Sequence, residues 1–326
     1  MARVLGMGYA LMERTVRMEA GQRLESVAVQ DGADLPIGLE ALEQFLELTA
    51  SNATVEGAGG SVANTLRALA ALGLSVGLIG KVGQDALGEA VYNSLRQAGV
   101  SPILYGSPAR TGHRFNLLLE ESGRARITFL GASATLNSGD LNPRDFAGFD
   151  IFHLEGSSVA NHALFSRALA IARDAQALIS MDLGILRIID AHREFLHCEL
   201  PGRVDILFAD EEKARAFTGH DGPEALEALS QVCPTVVIKR GACGAIGKSH
   251  GQYATQESAP AACEDSSGAS DLFNAGFLYG VAHQWPLEAS LRLGHMLAGM
   301  TRATFGPHLG TDQWAAVRAT ISQMEL

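Results

Sequence analysis

Short apolar runs alternate with helical patterns along most of this sequence, and that alternation constrains the fold more than any other feature. Runs of strand length, such as 4–7, 151–154 and 204–208, are separated by segments with helical periodicity, such as 61–72 and 161–174. Strands joined through helices pair in parallel and bury both faces of their sheet. We therefore predict an α/β fold with a doubly wound, mostly parallel sheet and helices on both faces.

Two stretches depart from this alternation. Residues 14–30 and 112–130 contain extended, alternating segments, including 115–117 and 127–129, with no helix between them. Such segments cannot form crossover units, and the simplest arrangement for them is a small β-sheet lid built from two insertions. Because no low-complexity linker divides the chain, we predict a single domain over residues 1–326 that carries this lid.

The composition excludes several classes of protein. The chain has 326 residues and a formal net charge of −11, whereas a nucleic-acid binder needs a basic surface. The longest uncharged, apolar-rich run, 68–80, is shorter than the roughly 20 residues that a membrane span requires. The four cysteines show no C-x-x-C spacing and are typical of reduced thiols. We expect a cytoplasmic protein without a nucleic-acid or membrane partner.

Two glycine-rich turns fail as nucleotide-binding fingerprints. In the turn at 6–11, Leu11 stands where the dinucleotide fingerprint needs a small residue, and no helical pattern follows. This disfavours a nicotinamide dehydrogenase. The turn at 241–249 nearly matches a phosphate-binding loop, but its first glycine is one residue too distant and no helix follows it. We retain this turn only as an edge that flanks a nucleotide.

A third glycine-rich turn, at 56–65, leads into a helical pattern. Gly59 and Gly60 permit close approach of a ligand to the backbone, and Ser61 is a favourable N-cap residue. Asn64 lies one turn into the helix, where its side chain reaches whatever binds at the turn. A ligand site and a plain tight turn before a packed helix are equally consistent with this composition.

The fourth turn, at 265–271, precedes a long apolar helix. Its small residues, Gly268, Ala269 and Ser270, expose consecutive N–H groups at the positive end of the helix dipole, and Asp271 places a carboxylate in the first turn. Amide donors beside an ionised carboxylate suit phosphoryl transfer to a hydroxyl group, because the donors hold the developing charge and the carboxylate takes the proton. The alternative is that Asp271 only caps its helix, which is an ordinary role for aspartate there.

Five segments, in order along the chain, resemble motifs of the ribokinase-like (PfkB) carbohydrate kinase family, and of its adenosine kinase branch more than its ribokinase branch. They are the Gly-Gly-Ser-x-x-Asn-Thr segment at 59–65, the Gly-x-x-Gly-x-Asp-x-x-Gly turn at 80–88, the strand at 204–208 that precedes an Asn-x-x-Glu motif, the nucleotide-side strand and turn at 236–245, and the Asp-Thr-Thr-Gly-Ala-Gly-Asp signature at 265–271.

The resemblance implies a doubly wound sheet with a β lid, ATP with Mg²⁺ as the phosphoryl donor, and a hydroxymethyl group of a sugar or nucleoside as the acceptor. It also implies a role for each matched residue. The general base is Asp271, and the anion hole is formed by Gly268, Ala269 and Ser270. The acceptor is bound by Glu13, Gly59, Gly60, Asn64 and the lid residue Arg126. The nucleotide is bound by Lys239, Gly241, Gly244 and His295. For Arg126, a solvated charge on the lid is an equally good interpretation.

The sequence also departs from the family pattern around this site. Tyr9 and Glu13 stand where the family usually has Asn and Asp, and Ser270 replaces the last glycine of the signature. The Asn-x-x-Glu motif, which is linked to Mg²⁺, becomes 210–213 with a lysine at its last position. We expect Asp210 and Glu211 to take over as metal ligands.

Two functions follow from the resemblance and its departures. The first is an ATP-dependent kinase of a sugar or nucleoside. The second is a catalytically weakened family member that binds ligand or nucleotide as a sensor or scaffold, which the charge reversal at Lys213 favours. We expect a monomer or a homodimer, since lid strands either cover their own site or pair with a second lid.

Overall fold

The computed structural model describes residues 2–19, 34–119, 123–258 and 265–324. Its strands are β1 (Arg3–Met7), β2 (Leu11–Arg17), β3 (Asp34–Pro36), β4 (Thr54–Gly59), β5 (Ser75–Gly83), β6 (Val100–Ser107), β7 (Gly112–Leu118), β8 (Arg124–Phe129), β9 (Ile151–Glu155), β10 (Leu178–Asp182), β11 (Ile206–Asp210), β12 (Thr235–Lys239), β13 (Ala245–Ser249) and β14 (Gln252–Gln256). Its α-helices are α1 (Leu39–Leu48), α2 (Ser61–Ala71), α3 (Ala86–Gln97), α4 (His162–Asp174), α5 (Leu186–Glu199), α6 (Glu211–Thr218), α7 (Gly222–Ser230), α8 (Ala269–Ala282), α9 (Leu287–Arg302) and α10 (Thr311–Gln323).

Nine strands form the central sheet, in the order β14-β13-β12-β11-β10-β9-β1-β5-β6. All neighbours from β12 to β6 pair in parallel, and β13 and β14 add an antiparallel edge. The first strand, β1, lies in the interior of this sheet, where its Val4 is in register with Val76 of β5 and Ile151 of β9. The predicted doubly wound, mostly parallel sheet is confirmed.

Helices cover both faces of the central sheet. On one face α4, α5, α6 and α7 pack over a core that includes Phe152, Phe165 and Leu207. On the other face α2, α8 and α9 pack over a core that includes Leu66 and Phe277. Strands that are buried on both sides read as continuous apolar runs, which is why the sequence pattern predicted them well.

A second sheet of five strands has the order β3-β8-β7-β2-β4. Strands β2, β7 and β8 fall largely within the two segments predicted as the lid, although β2 begins earlier, at Leu11, and residues 20–30 of that prediction lie outside the described residues. Strands β3 and β4 were not predicted. The sequence analysis interpreted the region around Gly59 as a turn, because glycines have low strand propensity, but Gly59 ends a strand that pairs with β2.

The register of the second sheet separates polar from apolar side chains. Glu13 of β2 is level with Arg114 of β7, and Arg114 is level with Thr128 of β8, so these side chains share one face of the sheet. Phe115 and Ile127 lie on the other face, where they pack against Phe45 of α1. This alternation gives the sheet one polar face.

No helix within the described ranges is long and apolar enough to cross a membrane. The prediction that residues 1–326 form one domain stays a prediction.

Candidate active site

A cavity lies between the polar face of the second sheet and one edge of the central sheet. Neighbouring parallel strands β9, β10, β11 and β12 end at Glu155, Asp182, Asp210 and Lys239. The carboxyl ends of parallel strands meet at one edge, where α/β proteins usually bind their ligands. Residues from both sheets and from the start of α8 line the cavity, among them Glu13, Arg114, Glu155, Asp182, Gly268, Ser270 and Asp271.

Asp271 lies in the first turn of α8 and binds two side chains of α2. Its Oδ1 accepts a hydrogen bond from Ser61 Oγ at 2.6 Å, and its Oδ2 accepts one from Asn64 Nδ2 at 3.0 Å. Thr65 Oγ1 also donates to the Asp271 carbonyl oxygen at 3.0 Å. The structure therefore joins the starts of α2 and α8, and it brings together Asn64 and Asp271, which are far apart in sequence.

Burial raises the pKa of Asp271 above its usual range. The hydrogen bonds from Ser61 and Asn64 favour the charged form and oppose this effect, while the nearby negative charge of Glu13 adds to it. A carboxylate with a raised pKa accepts a proton more readily than an exposed aspartate. This property suits a general base.

Glu13 is a buried carboxylate whose oxygens are fully engaged. Its Oε1 accepts a hydrogen bond from Asn116 Nδ2 at 2.8 Å, and its Oε2 accepts from Asn64 Nδ2 at 3.1 Å and from Gly60 N at 3.2 Å. Burial alone would raise the pKa of Glu13, but the charge of Arg114 and the bonds from Asn116 and Asn64 outweigh burial and lower it. Glu13 is therefore ionised and links the second sheet to α2.

Gly59 and Gly60 are required by close contacts. A Cβ atom on Gly59 would lie 2.0 Å from Glu13 Oε2. Gly60 has a φ of +112°, and a Cβ there would lie 2.2 Å from the Tyr9 carbonyl oxygen. The double glycine predicted to bind the acceptor thus makes room for the carboxylate of Glu13 and for the chain at Tyr9.

The start of α8 offers free amide groups. Gly268, with a φ of +74°, precedes the helix, and no side chain caps it. The amide of Ala269 donates to the Ser266 carbonyl oxygen at 3.2 Å, whereas the amides of Gly268 and Ser270 have no acceptor among the described residues. The predicted anion hole at 268–270 stays a prediction; of its three amides, that of Ala269 already donates within the turn.

Lys239 lies under this turn, in a buried polar cluster. Its Nζ is 2.6 Å from Asp182 Oδ2, 2.5 Å from Ser270 Oγ and 3.0 Å from Asn274 Oδ1. Burial would raise the pKa of Asp182, but the charges of Lys239 and Lys213 outweigh burial and hold that pKa well below its usual range. The structure thus places Lys239, a predicted nucleotide ligand, in a structural ion pair that supports Ser270.

The other residues predicted to bind the nucleotide lie outside this cavity. Gly241 and Gly244 shape the turn after β12, and a Cβ on Gly244 would lie 1.9 Å from the Gln256 carbonyl oxygen. His295, on α9, lines a separate surface pocket together with Gln256, and burial lowers its pKa. Gly244 and His295 therefore flank one residue of β14, which leaves a nucleotide role for this edge as a prediction.

The two residues predicted as metal ligands are occupied by ion pairs. Asp210 accepts the Lys213 amide at 2.9 Å and lies 2.7 Å from Lys213 Nζ, while Glu211 lies 3.3 Å from Arg240 Nε. Within the described ranges, no group of three or more histidine, cysteine, aspartate or glutamate side chains is placed to hold a metal ion. This donor set does not fit a metal ion that protein side chains alone coordinate, and a metal role for Asp210 and Glu211 stays a prediction.

Arg126 lines the cavity on the side of β8 and pairs with Asp34 at 3.2 Å, with both side chains partly exposed. The sequence analysis missed three other lining residues, Arg114, Glu155 and Asp182. The sequence contains a feature that could have identified each of them. Glu155 and Asp182 end buried strands, and Arg114 alternates with apolar residues in a lid segment. Burial raises the pKa of Glu155, and its Oε2 has no hydrogen-bond partner among the described residues.

Comparison with known proteins assigns the chain to a family. The model of the pfkB family carbohydrate kinases matches residues 35–314, which is most of the chain. The chain belongs to the pfkB family. The resemblance found in the five sequence motifs is thereby confirmed, and with it the prediction of a phosphotransferase that acts on a sugar or nucleoside alcohol.

Individual pfkB relatives agree with this assignment. A 5-dehydro-2-deoxygluconokinase of Lacticaseibacillus casei is 26% identical over 302 residues, covering 86% of this chain and 90% of the relative. The crystal structure of adenosine kinase from Sinorhizobium meliloti has a TM-score of 0.88 and 27% identity, covering 98% of this chain and 99% of that one. A putative ribokinase II from E. coli, in complex with ATP and Mg²⁺, shares the fold with a TM-score of 0.80 and 21% identity, over 99% and 100% of the two chains.

Proposed function

We propose that this pfkB protein is an ATP-dependent kinase that phosphorylates a hydroxymethyl group of a sugar or nucleoside, with Asp271 as the general base. The observation that carries the proposal is the position of the Asp271 carboxylate in a cavity beside the free amides of Gly268 and Ser270. The names of two relatives, a dehydrodeoxygluconokinase and an adenosine kinase, support an acceptor of this size and class.

The proposed reaction transfers the γ-phosphoryl group of ATP. The acceptor hydroxyl gives its proton to Asp271, its oxygen bonds to the γ-phosphorus, and the bond from that phosphorus to the β–γ bridging oxygen breaks to release ADP. The amides of Gly268 and Ser270 stabilise the charge on the transferred group. Lys239 holds Ser270 through its 2.5 Å bond to the hydroxyl oxygen, so it acts as a positioning residue.

Magnesium enters this proposal with the nucleotide, as part of the ATP·Mg²⁺ substrate. Mg²⁺ commonly keeps several waters and binds mainly through substrate phosphates, so it needs few protein ligands. The E. coli structural relative contains ATP and Mg²⁺ together, which supports this form of the donor. The edge formed by Gly244, Gln256 and His295 is the proposed location of the base of the nucleotide.

The raised pKa of Asp271 predicts a shifted pH profile. Since the base must be deprotonated, kcat/KM falls as the pH decreases through the pKa of Asp271. This decrease, the acidic limb of the pH–rate profile, should have its midpoint above the ordinary aspartate pKa of about 3.9. The Ser61→Ala variant removes a bond that lowers the pKa, so its limb moves to higher pH. Steady-state rates at saturating ATP across the acidic range measure both effects. A limb that moves to lower pH in Ser61→Ala contradicts the assignment.

Lys213 provides a second test. Its side chain lines the same cavity as Gly268 and Ser270, and its Nζ binds Asp210 at the start of α6. Because a cation there stabilises charge on the transferred phosphoryl group, we expect Lys213→Met to lower kcat by about 10². The matched control is Arg215→Met on the same helix, where the side chain is exposed and pairs with Asp221.

The rate of ADP release measures both variants. Activity of Lys213→Met equal to that of the Arg215→Met control contradicts a phosphate-side role for Lys213.

The second candidate function is a catalytically weakened protein that binds ligand or nucleotide as a sensor or scaffold. The ion pair between Lys213 and Asp210 favours it, because it occupies one of the two carboxylates that were predicted to hold the metal. Acceptor-dependent release of ADP from ATP·Mg²⁺ excludes this candidate. Nucleotide binding without turnover, over a panel of sugars and nucleosides, supports it.

A further inference from the structure

Arg114 is a buried cation that leaves most of its donors unused. The residue is 8% exposed and lines the cavity. Its single hydrogen bond to the described residues runs from Nε to Thr128 Oγ1 at 3.4 Å. A guanidinium group carries five N–H donors, so the donors on its two terminal nitrogens have no acceptor in that part of the chain. Because Arg114 lines the cavity, these donors are available to a ligand that binds there.

The neighbouring carboxylates do not supply that acceptor. Glu13 balances the charge of Arg114, but its oxygens bind Asn64, Asn116 and the Gly60 amide instead. Asp271 is taken by Ser61 and Asn64, and Asp34 pairs with Arg126. The charge of Glu155 also acts on Arg114, but no hydrogen bond joins the two side chains. Nearby carboxylates therefore balance the charge of Arg114, but none of them accepts a hydrogen bond from its terminal nitrogens.

We propose that the acceptor carries an oxyanion, a carboxylate or a phosphate, which binds the terminal nitrogens of Arg114 while its hydroxymethyl group lies at Asp271. This inference rests on the proposed function, because it assumes an acceptor in the cavity. The planar fork of arginine matches two oxygens of either anion, with charge-assisted hydrogen bonds. A neutral sugar or nucleoside offers only uncharged hydroxyl, ring or base atoms, whose hydrogen bonds to the guanidinium are weaker and do not match its fork.

A second cation lies on the same cavity. Arg187, near the start of α5, lines the cavity, its side chain is exposed, and no described residue forms an ion pair or hydrogen bond with it. An exposed arginine at the mouth of a cavity raises the local concentration of an anion. Arg114 and Arg187 thus provide an inner and an outer contact for a negatively charged acceptor.

Matched pairs of acceptors test the inference. Gluconate is compared with glucitol, and ribose 1-phosphate with ribose, because each pair differs mainly in the anionic group and all four have a free hydroxymethyl group. ADP release with ATP·Mg²⁺ gives kcat/KM for each compound. We expect at least one anion to exceed its neutral counterpart by about 10-fold or more. Preference for gluconate identifies a carboxylate as the anion, and preference for ribose 1-phosphate identifies a phosphate.

Two variants locate the effect. Arg114→Lys keeps a charge beside Glu13 but loses the fork, so we expect kcat/KM for the preferred anion to fall about 10-fold or more further than that for its neutral counterpart. Arg187→Gln alters only an exposed side chain, and we expect it to raise KM for the anion while kcat stays within about 2-fold. Neutral acceptors that equal or exceed both anions, or an equal loss for both in Arg114→Lys, overturn the inference.

Thermal shift in the absence of ATP separates this inference from the proposed kinase activity. If no acceptor releases ADP, but an anion raises the Tm of the unmodified protein and not of Arg114→Lys, the kinase proposal fails and the anion site stands. If neutral acceptors are phosphorylated while neither anion shifts the Tm nor supports turnover, the kinase proposal stands and the anion site is wrong.

Discussion

Replacing Asp271 by Asn should lower kcat by about 10² or more, the size expected for loss of a general base. The acceptor Kd should change by only a few-fold, because the amide can still accept from Asn64 through its oxygen and donate to the Ser61 hydroxyl through its nitrogen. Turnover is measured by ADP release, and acceptor binding by calorimetry with a non-hydrolysable ATP analogue. Unchanged turnover would falsify the assignment of Asp271.

Asp312→Asn is the matched control for this experiment. Asp312 also lies in the first turn of a helix, α10, but its side chain is exposed and does not line the cavity. Loss of a helix dipole contact alone is worth at most about 1 kcal/mol in stability. Asp312→Asn should therefore retain the full rate, which separates a role in proton transfer from an ordinary role at a helix start.

Replacing Lys239 by Met should destabilise the fold by about 3–5 kcal/mol, because it removes the cation that pairs directly with the buried Asp182 carboxylate. The free energy of unfolding in urea measures this effect. The double variant Asp182→Asn, Lys239→Met removes both charges and should recover about 1 kcal/mol or more of that loss. A double variant that is as unstable as the sum of the two single variants shows that the pair is not coupled.

Lys248→Met is the control for ion-pair removal. Lys248 of β13 pairs with Glu227, whose carboxylate is 58% exposed, so loss of this pair should cost less than about 1 kcal/mol. The contribution of the Asp182–Lys239 pair to the free energy of unfolding also depends on pH, with a definite sign. The pKa of Asp182 is lower in the folded than in the unfolded protein, so its contribution to stability is fully present above the unfolded value of about 3.9, decreases below it, and is lost as the pH falls through the lower folded pKa.

The central sheet and its helices were predictable because their sequence signals are local. A strand such as β9, buried on both faces, is a continuous apolar run, and α2 and α8 begin at turns with small residues. Strands β3 and β4 were not predictable in this way. Strand β3 has only three residues, and β4 carries glycines whose presence is explained only by the partner β2.

Residues of the candidate site that belong to a sequence motif were predictable, whereas residues that only strand pairing brings to the site were not. Asp271, Asn64 and the double glycine carry a recognisable spacing. Arg114 does not, because its place beside Glu13 depends on the register between β2 and β7, two strands about 100 residues apart in the chain. The metal prediction, which stays a prediction, meets a similar limit: a sequence shows that Asp210 is acidic, but not that Lys213, one helical turn later, pairs with it.

The contacts of Asp271 also bear on how the protein discriminates against water. Both oxygens of this carboxylate are engaged, by Ser61 and Asn64, so an incoming hydroxyl must displace or share one of these contacts before it can give up its proton. A well-anchored alcohol recovers that loss through its other contacts in the cavity, whereas a single water molecule cannot. In the proposed kinase, the hydrogen bonds from Ser61 and Asn64 would therefore favour the acceptor over water as the group that Asp271 deprotonates, and so reduce hydrolysis of ATP.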